Sequence, residues 1–351
     1  MEIVQDKVDK DAINTQRRKL NDWLPAQFDL QDSWFPVAHT NHVSKRAIRR
    51  IVHAQVLYIW REGANVVATD NHPDCPQVAR RGANYFTGGS GFYIALERYG
   101  YVWVWYGNPD NANEALLPHI PFLPQNGKGI PNYMRTTIRF DACSSLSVEN
   151  LLDLTHADFL HGEVVGGEGE AETDEVFFEH TSETITRTRM VTGKPVSPIM
   201  RWVGGVRAKY QDFRSTLHVH LRSNLCISYP KFEPGFDVPN VQPFVPSGPY
   251  RSRVDQIFGL DKAPTPFRQL MPKVAFIVGP QDNSVMRPQN PRYFNLEDRV
   301  DFHSRFDAPG NRYRYLMKKL QERQNNGDFT YSSDADPGAD ISELLGMKIK
   351  S

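Results

Sequence analysis

The sequence predicts an α+β chain, with short turn-separated strands in its first third and long antiparallel strands combined with helices in the rest. Three observations carry this. Apolar and aromatic runs of five to seven residues recur between Trp34 and Asn108, bounded by Gly, Pro and Asn. Val176–Met190 and Val206–Ile227 alternate apolar residues with Thr, Arg, Glu and His, as half-buried antiparallel strands do. Helical patterns stand at Ser147–Leu160 and Asn311–Arg323.

The chain has 351 residues, enough for one large or two ordinary domains. Its segments are an arm (1–30), a small β region (31–118) and a larger α+β region (119–351). Forty-one basic and 41 acidic residues cancel, so no bulk field attracts nucleic acid or an anionic membrane, and the balance favours a small, weakly charged substrate. Met1–Lys7 contains no apolar signal core, and no segment approaches the roughly 20 apolar residues of a membrane span, so a soluble, cytoplasmic protein is expected. Cys75, Cys143 and Cys226 are odd in number and widely spaced, which describes neither a disulfide framework nor a cysteine-rich zinc site.

In chain order, the arm carries an amphipathic piece at Arg17–Leu24. Strands are expected at Trp34–Ala38, Gln55–Arg61, Asn65–Thr69, Phe92–Leu96 and Tyr101–Tyr106, with turns at Glu62-Gly63-Ala64 and Arg98-Tyr99-Gly100. The prolines of Leu117–Pro124 read as a linker, and Met134–Phe140 as a strand. Gly162–Glu172 is a glycine-rich acidic loop whose spacing and charge do not suit phosphate, so a surface flap is expected. Pro230–Pro249 reads as a proline-rich loop that roofs a site. In the last helix Tyr313, Leu316, Met317 and Leu320 share a stripe, and the polar tail after Gly327 wraps or frays.

The chemistry concentrates in Glu149–Gly162. A helix over Ser147–Leu160, capped by Ser147 and ended near Gly162, puts Glu149, Asp153 and His156 on one face and turns Leu151, Leu152, Leu154 and Phe159 towards packed neighbours. His161 follows His156 by five residues, about 140° round an ideal helix, so both rings meet one metal only where the helix kinks or ends near Leu160. The plain alternative is a core helix with two hydrogen-bonded histidines; Asp153 argues against it, because a metal-bound imidazole usually donates its second nitrogen to a carboxylate, carbonyl or water. His218 and His220 share a strand face and point either into a pocket or into the core.

Four stretches in order resemble the oxygenase α subunits of the Rieske non-haem iron oxygenases: Ser33–Ala38 with the strand pair ending at Val67-Ala68; Glu97–Val104; Glu149–His161, similar to the family's E-N-x-x-D-x-x-H-x-x-x-x-H; and Gln281–Pro291, similar to its E-D-x-x-V-x-x-x-Q. Asp153-Leu154-Thr155-His156 is most similar to the demethylating branch. The resemblance implies a Rieske-like β domain followed by a helix-grip catalytic domain, an oxidoreductase that is a monooxygenase or dioxygenase. It also implies a mononuclear Fe(II) held by His156, His161 and Asp282, a set that suits non-haem iron with one face open. Glu297-Asp298 is the rival carboxylate pair, and a turn aspartate after Gly279-Pro280 is the alternative for Asp282.

The sequence departs from the family at the Rieske cluster, which needs C-x-H and later C-x-x-H. Here Cys75-Pro76-Gln77 has glutamine in place of histidine, and neither Cys143 nor Cys226 has a histidine three residues on. A degenerate, truncated Rieske-like domain with no [2Fe-2S] cluster is therefore expected. The family's aspartate before the first histidine carries electrons from a neighbouring subunit's cluster to the iron, and Asp153 matches it. The implied partners are a Rieske-bearing subunit and a reductase or ferredoxin, in a trimer or hexamer, with O₂ and a small, largely apolar substrate. A non-catalytic assembly subunit and redox-neutral metal hydrolysis are the alternatives.

Overall fold

The computed structural model describes residues 28–53, 55–71, 85–88, 90–153, 156–164, 173–294 and 307–347. The arm through residue 27, Cys75-Pro76-Gln77, most of the acidic loop and Glu297-Asp298 lie outside the described residues. Among those described, no helix is long and apolar enough to cross a membrane.

The small β region holds β1 (Ser33–His39), β2 (Ile48–Val52), β3 (Gln55–Glu62), β4 (Asn65–Thr69), β5 (Ala95–Arg98) and β6 (Tyr101–Tyr106), in two antiparallel sheets ordered β1-β6-β5 and β2-β3-β4. Strand β2 has no counterpart in the sequence reading, and β5 begins three residues later than expected because Phe92 forms only an isolated bridge with Thr69. Tyr99 and Gly100 both take positive φ, 55° and 80°, as a two-residue hairpin requires. Position 100 also needs glycine for space, since a Cβ there would lie 2.8 Å from Ile130 Cδ1.

Strand β6 joins the two parts of the fold. All six of its residues are buried, which its alternation explains. Tyr101, Trp103 and Trp105 pack with Leu225, Ile227, Val241 and Ile257 from the large sheet, while Val102, Val104 and Tyr106 pack with Phe35, Leu57 and Ile59 on the other face. The expected linker at Leu117–Pro124 belongs to the same core: Leu117, Ile120 and Leu123 are buried in it, so burial of every third residue overrides the proline spacing. Ile341 and Leu345 of the tail are buried there too, so the tail wraps.

The large sheet contains β7 (Arg135–Phe140), β8 (Thr173–His180), β9 (Thr184–Pro195), β10 (Tyr210–His220), β11 (Leu225–Glu233), β12 (Asn240–Gly248) and β13 (Arg251–Phe258). It is antiparallel throughout in the order β7-β13-β12-β11-β10-β9-β8, so the expected α+β class with an antiparallel sheet is what the chain adopts. The two long alternating stretches each become hairpin arms. The turn at 181–183 is held by Thr181 Oγ1, which accepts from Glu183 N and Thr184 N, and the other turn ends at Asn224 with φ 49°. The expected loop at Pro230–Pro249 is mainly strand. Burial of Val241, Phe244 and Val245 outweighs its prolines, and the ladder of β12 with β11 reaches only Pro243 while that with β13 extends to Gly248.

The α-helices among the described residues are α1 (Ser144–Leu152), α2 (His156–Leu160), α3 (Pro198–Trp202), α4 (Thr265–Phe294) and α5 (Ala308–Asn325). Helix α4 lies along β7, where Gly279 permits close approach: a Cβ there would stand 3.0 Å from Ile138 Cγ2. Thr136 Oγ1 of β7 donates to the Pro272 carbonyl at 2.9 Å and ties the helix to the sheet. Helix α5 buries Tyr313, Leu316, Met317 and Leu320, the stripe expected from sequence.

Candidate metal centre

The predicted single helix over Ser147–Leu160 is two helices. Helix α1 starts three residues early because Cys143 caps it, its Sγ accepting from Leu146 N at 3.4 Å, while Ser147 is buried inside. It ends at Leu152, where Asp153 is extended (φ −96°, ψ 92°), and α2 begins at His156 and stops at Leu160. A Cβ on Gly162 would come within 2.8 Å of Asp158 O, so the tight exit after His161 requires glycine. Breaking the helix at both ends of this short piece resolves the 140° offset: the two rings meet edge to face with centroids 5.4 Å apart.

Asp282 comes from the interior of α4, not from a turn, since the helix runs through Gly279-Pro280. Its Oδ1 stands 2.9 Å from His161 Nε2 and 3.4 Å from His156 Nε2. One ligand atom from each of the three residues lies within 4.8 Å of the others. The outer ring nitrogens face carbonyl oxygens. Gln281 Oε1 is 2.8 Å from His161 Nδ1, and the backbone carbonyl of Asp153 meets His156 Nδ1. A carbonyl acceptor selects the Nδ1–H tautomer, which turns the Nε2 lone pairs towards the carboxylate. Such lone pairs face a carboxylate only with a cation between them, either a ring proton or a metal ion. Ligand atoms about 2.1 Å from a common centre stand about 3 Å apart at right angles, and the distances from Asp282 Oδ1 to the two ring nitrogens are of that order.

The electrostatics agree. Burial acts to raise Asp282, yet hydrogen bonds and charge from His156 and His161 hold its carboxyl below the usual range. Burial acts to lower His161, but its hydrogen bonds to Asp282 and Gln281 and the charge of Asp282 raise it. Asn150 Nδ2 donates to Asp282 Oδ1 at 3.2 Å and fixes the carboxylate.

Several expectations change. Glu149 does not share the site: it is buried and anchors α1 to α4 and α5, accepting from Tyr293 Oη at 2.5 Å and Arg314 Nε at 2.7 Å. Asp153 supplies His156 with its backbone carbonyl, not its carboxylate. Its side chain, half-buried, faces the charge of Arg187, a fully buried guanidinium that burial first and the neighbouring Arg189 second push down to about 9. Phe159 is 91% exposed because the helix break turns it outward. With Asp153, His156, Val285, Gln289 and Arg314 it borders a surface cleft. His218 and His220 are core residues, the former sharing a 2.8 Å hydrogen bond with Thr186 Oγ1. Cys143 and Cys226 are buried, and burial raises both thiols, Cys143 to about 12.

His156, His161 and Asp282 open on a cavity of about 240 Å³ between the large sheet and α4. Sequence reasoning missed its polar wall. Asp158 Oδ2 accepts from Arg189 Nη2 at 2.6 Å and its Oδ1 from Lys194 Nζ, and Arg189 Nε also reaches Asp174 Oδ1 at 2.9 Å. Burial acts to raise Asp158, but Lys194 and Arg189 outweigh it and hold its carboxyl low. The signal was present in Arg187 and Arg189 at alternate positions of β9, but neither Asp158 nor Asp174 could be paired with them from spacing alone.

The family model for the vanillate O-demethylase oxygenase C-terminal domain matches residues 140–323, more than half of the chain. The chain belongs to the Rieske non-haem iron oxygenases. The vanillate O-demethylase oxygenase subunit of Pseudomonas sp. (strain ATCC 19151) is 31% identical to this Rieske-family chain over 113 residues, 31% of the chain and 30% of the relative. That of Pseudomonas sp. (strain HR199 / DSM 7063) is 31% identical over 114 residues, with the same coverage. The match therefore spans less than a third of either relative. Dicamba monooxygenase bound to dicamba shares the fold at a TM-score of 0.68 and 14% identity, covering 85% of this chain and 99% of that one. The NdmA QL mutant of Pseudomonas putida CBB5 with theobromine aligns at a TM-score of 0.54 and 14% identity, covering 84% and 92%.

Proposed function

We propose that this chain is the catalytic subunit of a hetero-oligomeric Rieske-type oxygenase. It carries out O₂-dependent hydroxylation or oxidative demethylation of a small, largely apolar molecule at a mononuclear Fe(II) held by His156, His161 and Asp282. The observation that supports this most strongly is the convergence of two imidazole nitrogens on one carboxylate oxygen, 2.9 and 3.4 Å away, at the wall of an apolar cavity. The bound iron would supply the activation of O₂. The chain's own residues set the conditions. Gln281 and the Asp153 carbonyl hold the ring tautomers, Asn150 orients Asp282, and the cavity keeps water from the reacting bond.

Electrons come, in this reading, from a partner chain. The sequence has Cys75-Pro76-Gln77 and no C-x-x-H, which leaves a degenerate Rieske-like domain that cannot bind a [2Fe-2S] cluster. Asp153 lines the surface cleft together with His156 and meets the His156 ring through its backbone carbonyl, which supports it as the point at which electrons from a partner's cluster would reach the iron. The partner is a Rieske-bearing oxygenase subunit served by a reductase or ferredoxin.

The test is co-purification followed by reconstitution. A second, Rieske-bearing chain should accompany this one, and O₂ consumption should require both chains and a reductase. His156→Ala should abolish turnover of the complex; unchanged turnover would make this an assembly subunit, and turnover indifferent to O₂ and reductant would indicate hydrolysis.

A further inference from the structure

We infer that the substrate is an uncharged, ring-containing molecule whose polar edge carries both hydrogen-bond donors and acceptors, as a carboxamide, lactam or imide does, and not an aromatic carboxylate or sulfonate. This rests on the reading of the cavity as the substrate site.

The cations of the cavity wall are already neutralised. Lys194 and Arg189 share Asp158, and Arg189 also holds Asp174, so two positive groups meet two negative ones within bonding distance. Among the described residues, no other Lys or Arg lines the cavity. A ligand carboxylate entering the cavity would have to compete with Asp158 for its cations, or lie beside them desolvated and unpaired, which is unfavourable.

The remaining polar groups are neutral and positioned. Asn240 Oδ1 accepts from Gln242 Nε2 at 2.7 Å and from Gln256 Nε2 at 3.2 Å, while Asn240 Nδ2 donates to Val238 O at 3.2 Å. That arrangement leaves each glutamine an amide oxygen and a second N–H to offer. On β10, one strand removed from β12, Gln211 and Ser215 are 3% and 0% exposed, and Gln211 Oε1 and Ser215 Oγ have no hydrogen-bond partner in the protein. Both residues line the cavity. Buried polar groups left without partners in the free protein are positioned to be satisfied by a ligand. The opposite wall is apolar, with Phe267, Met271, Val274 and Val278 of α4, which suits one face of a ring. At about 240 Å³ the cavity is below the roughly 300–1,000 Å³ of drug-sized sites, so the molecule is small.

Calorimetric titration of the full chain with 4-methoxybenzamide and 4-methoxybenzoate, with and without anaerobic Fe(II), tests the inference. The amide should bind at least roughly 100-fold more tightly than the acid. Gln256→Leu and Gln211→Leu should erase that preference, and Asp158→Asn, which releases Lys194, should raise the affinity for the acid at least about tenfold. Equal or tighter binding of the acid by the unaltered chain, or binding of neither probe, would overturn the inference. Iron content measured in the same samples separates the two claims: a chain that holds no iron defeats the iron-site reading, while the preference between probes is decided by the heats alone.

Discussion

His156 and His161 stand edge to face with centroids 5.4 Å apart, and His218 and His220 do the same at 4.8 Å. The pairs differ in what surrounds them. The first meets Asp282, 121 residues beyond His161, and its hydrogen bonds to Asp282 and Gln281 with the carboxylate's charge outweigh burial to raise His161. In the second, His218 meets the Thr186 hydroxyl, burial pushes His218 down to about 4, and burial together with the His218 charge puts His220 well below its ordinary value. Two adjacent imidazoles are therefore not a metal site in themselves. A carboxylate delivered to their inner nitrogens, with carbonyls on the outer ones, distinguishes the candidate metal pair from the neutral core pair.

The largest break in this comparison should come from Asp282→Ala, which is expected to weaken Fe(II) binding at least about 1,000-fold in an anaerobic competition assay, whereas His218→Ala should leave it within a factor of a few. The order reverses for stability. His218→Ala deletes a buried ring and strands Thr186, and should cost about 2–4 kcal/mol in urea unfolding, against about 1 kcal/mol or less for the half-buried His156 in the metal-free chain. Gln281→Leu, which removes the acceptor of His161 Nδ1, should lower iron affinity by about 10–100-fold while leaving the fold intact.

The smallest effect concerns pH. The core pair is neutral when folded. As pH falls below 6.5, the unfolded chain takes up protons that the native rings refuse until about 4 for His218. Stability is thus fully present above pH 6.5 and declines towards pH 4, by at most about 1.4 kcal/mol per pH unit for each histidine. His220→Leu should reduce that slope, as measured by unfolding at pH 6.5 and 5; an unchanged slope would mean that the pair is not held neutral.

The strands were largely legible because β6 and its neighbours alternate cleanly, and the two candidate ligand histidines were legible because His156 and His161 lie five residues apart beside Asp153. What escaped depended on long-range competition. Glu149 lies on the expected helix face, but Tyr293 and Arg314 from distant helices claim it. The helix break at Asp153 carries no glycine or proline to announce it. Burial turned the proline segments at Leu117–Pro124 and Pro230–Pro249 into core and strand, against local propensity. The closure of Asp158 with Arg189 and Lys194 joins residues 31 and 36 positions apart, which periodicity cannot register.

The most direct measurement is the iron content and absorption spectrum of the purified chain after anaerobic Fe(II) loading and desalting. The account predicts iron near one per chain, lost in Asp282→Ala and retained in His218→Ala, with none of the visible bands of a [2Fe-2S] cluster. A chain that retains no iron, or one that shows a cluster spectrum, would contradict it.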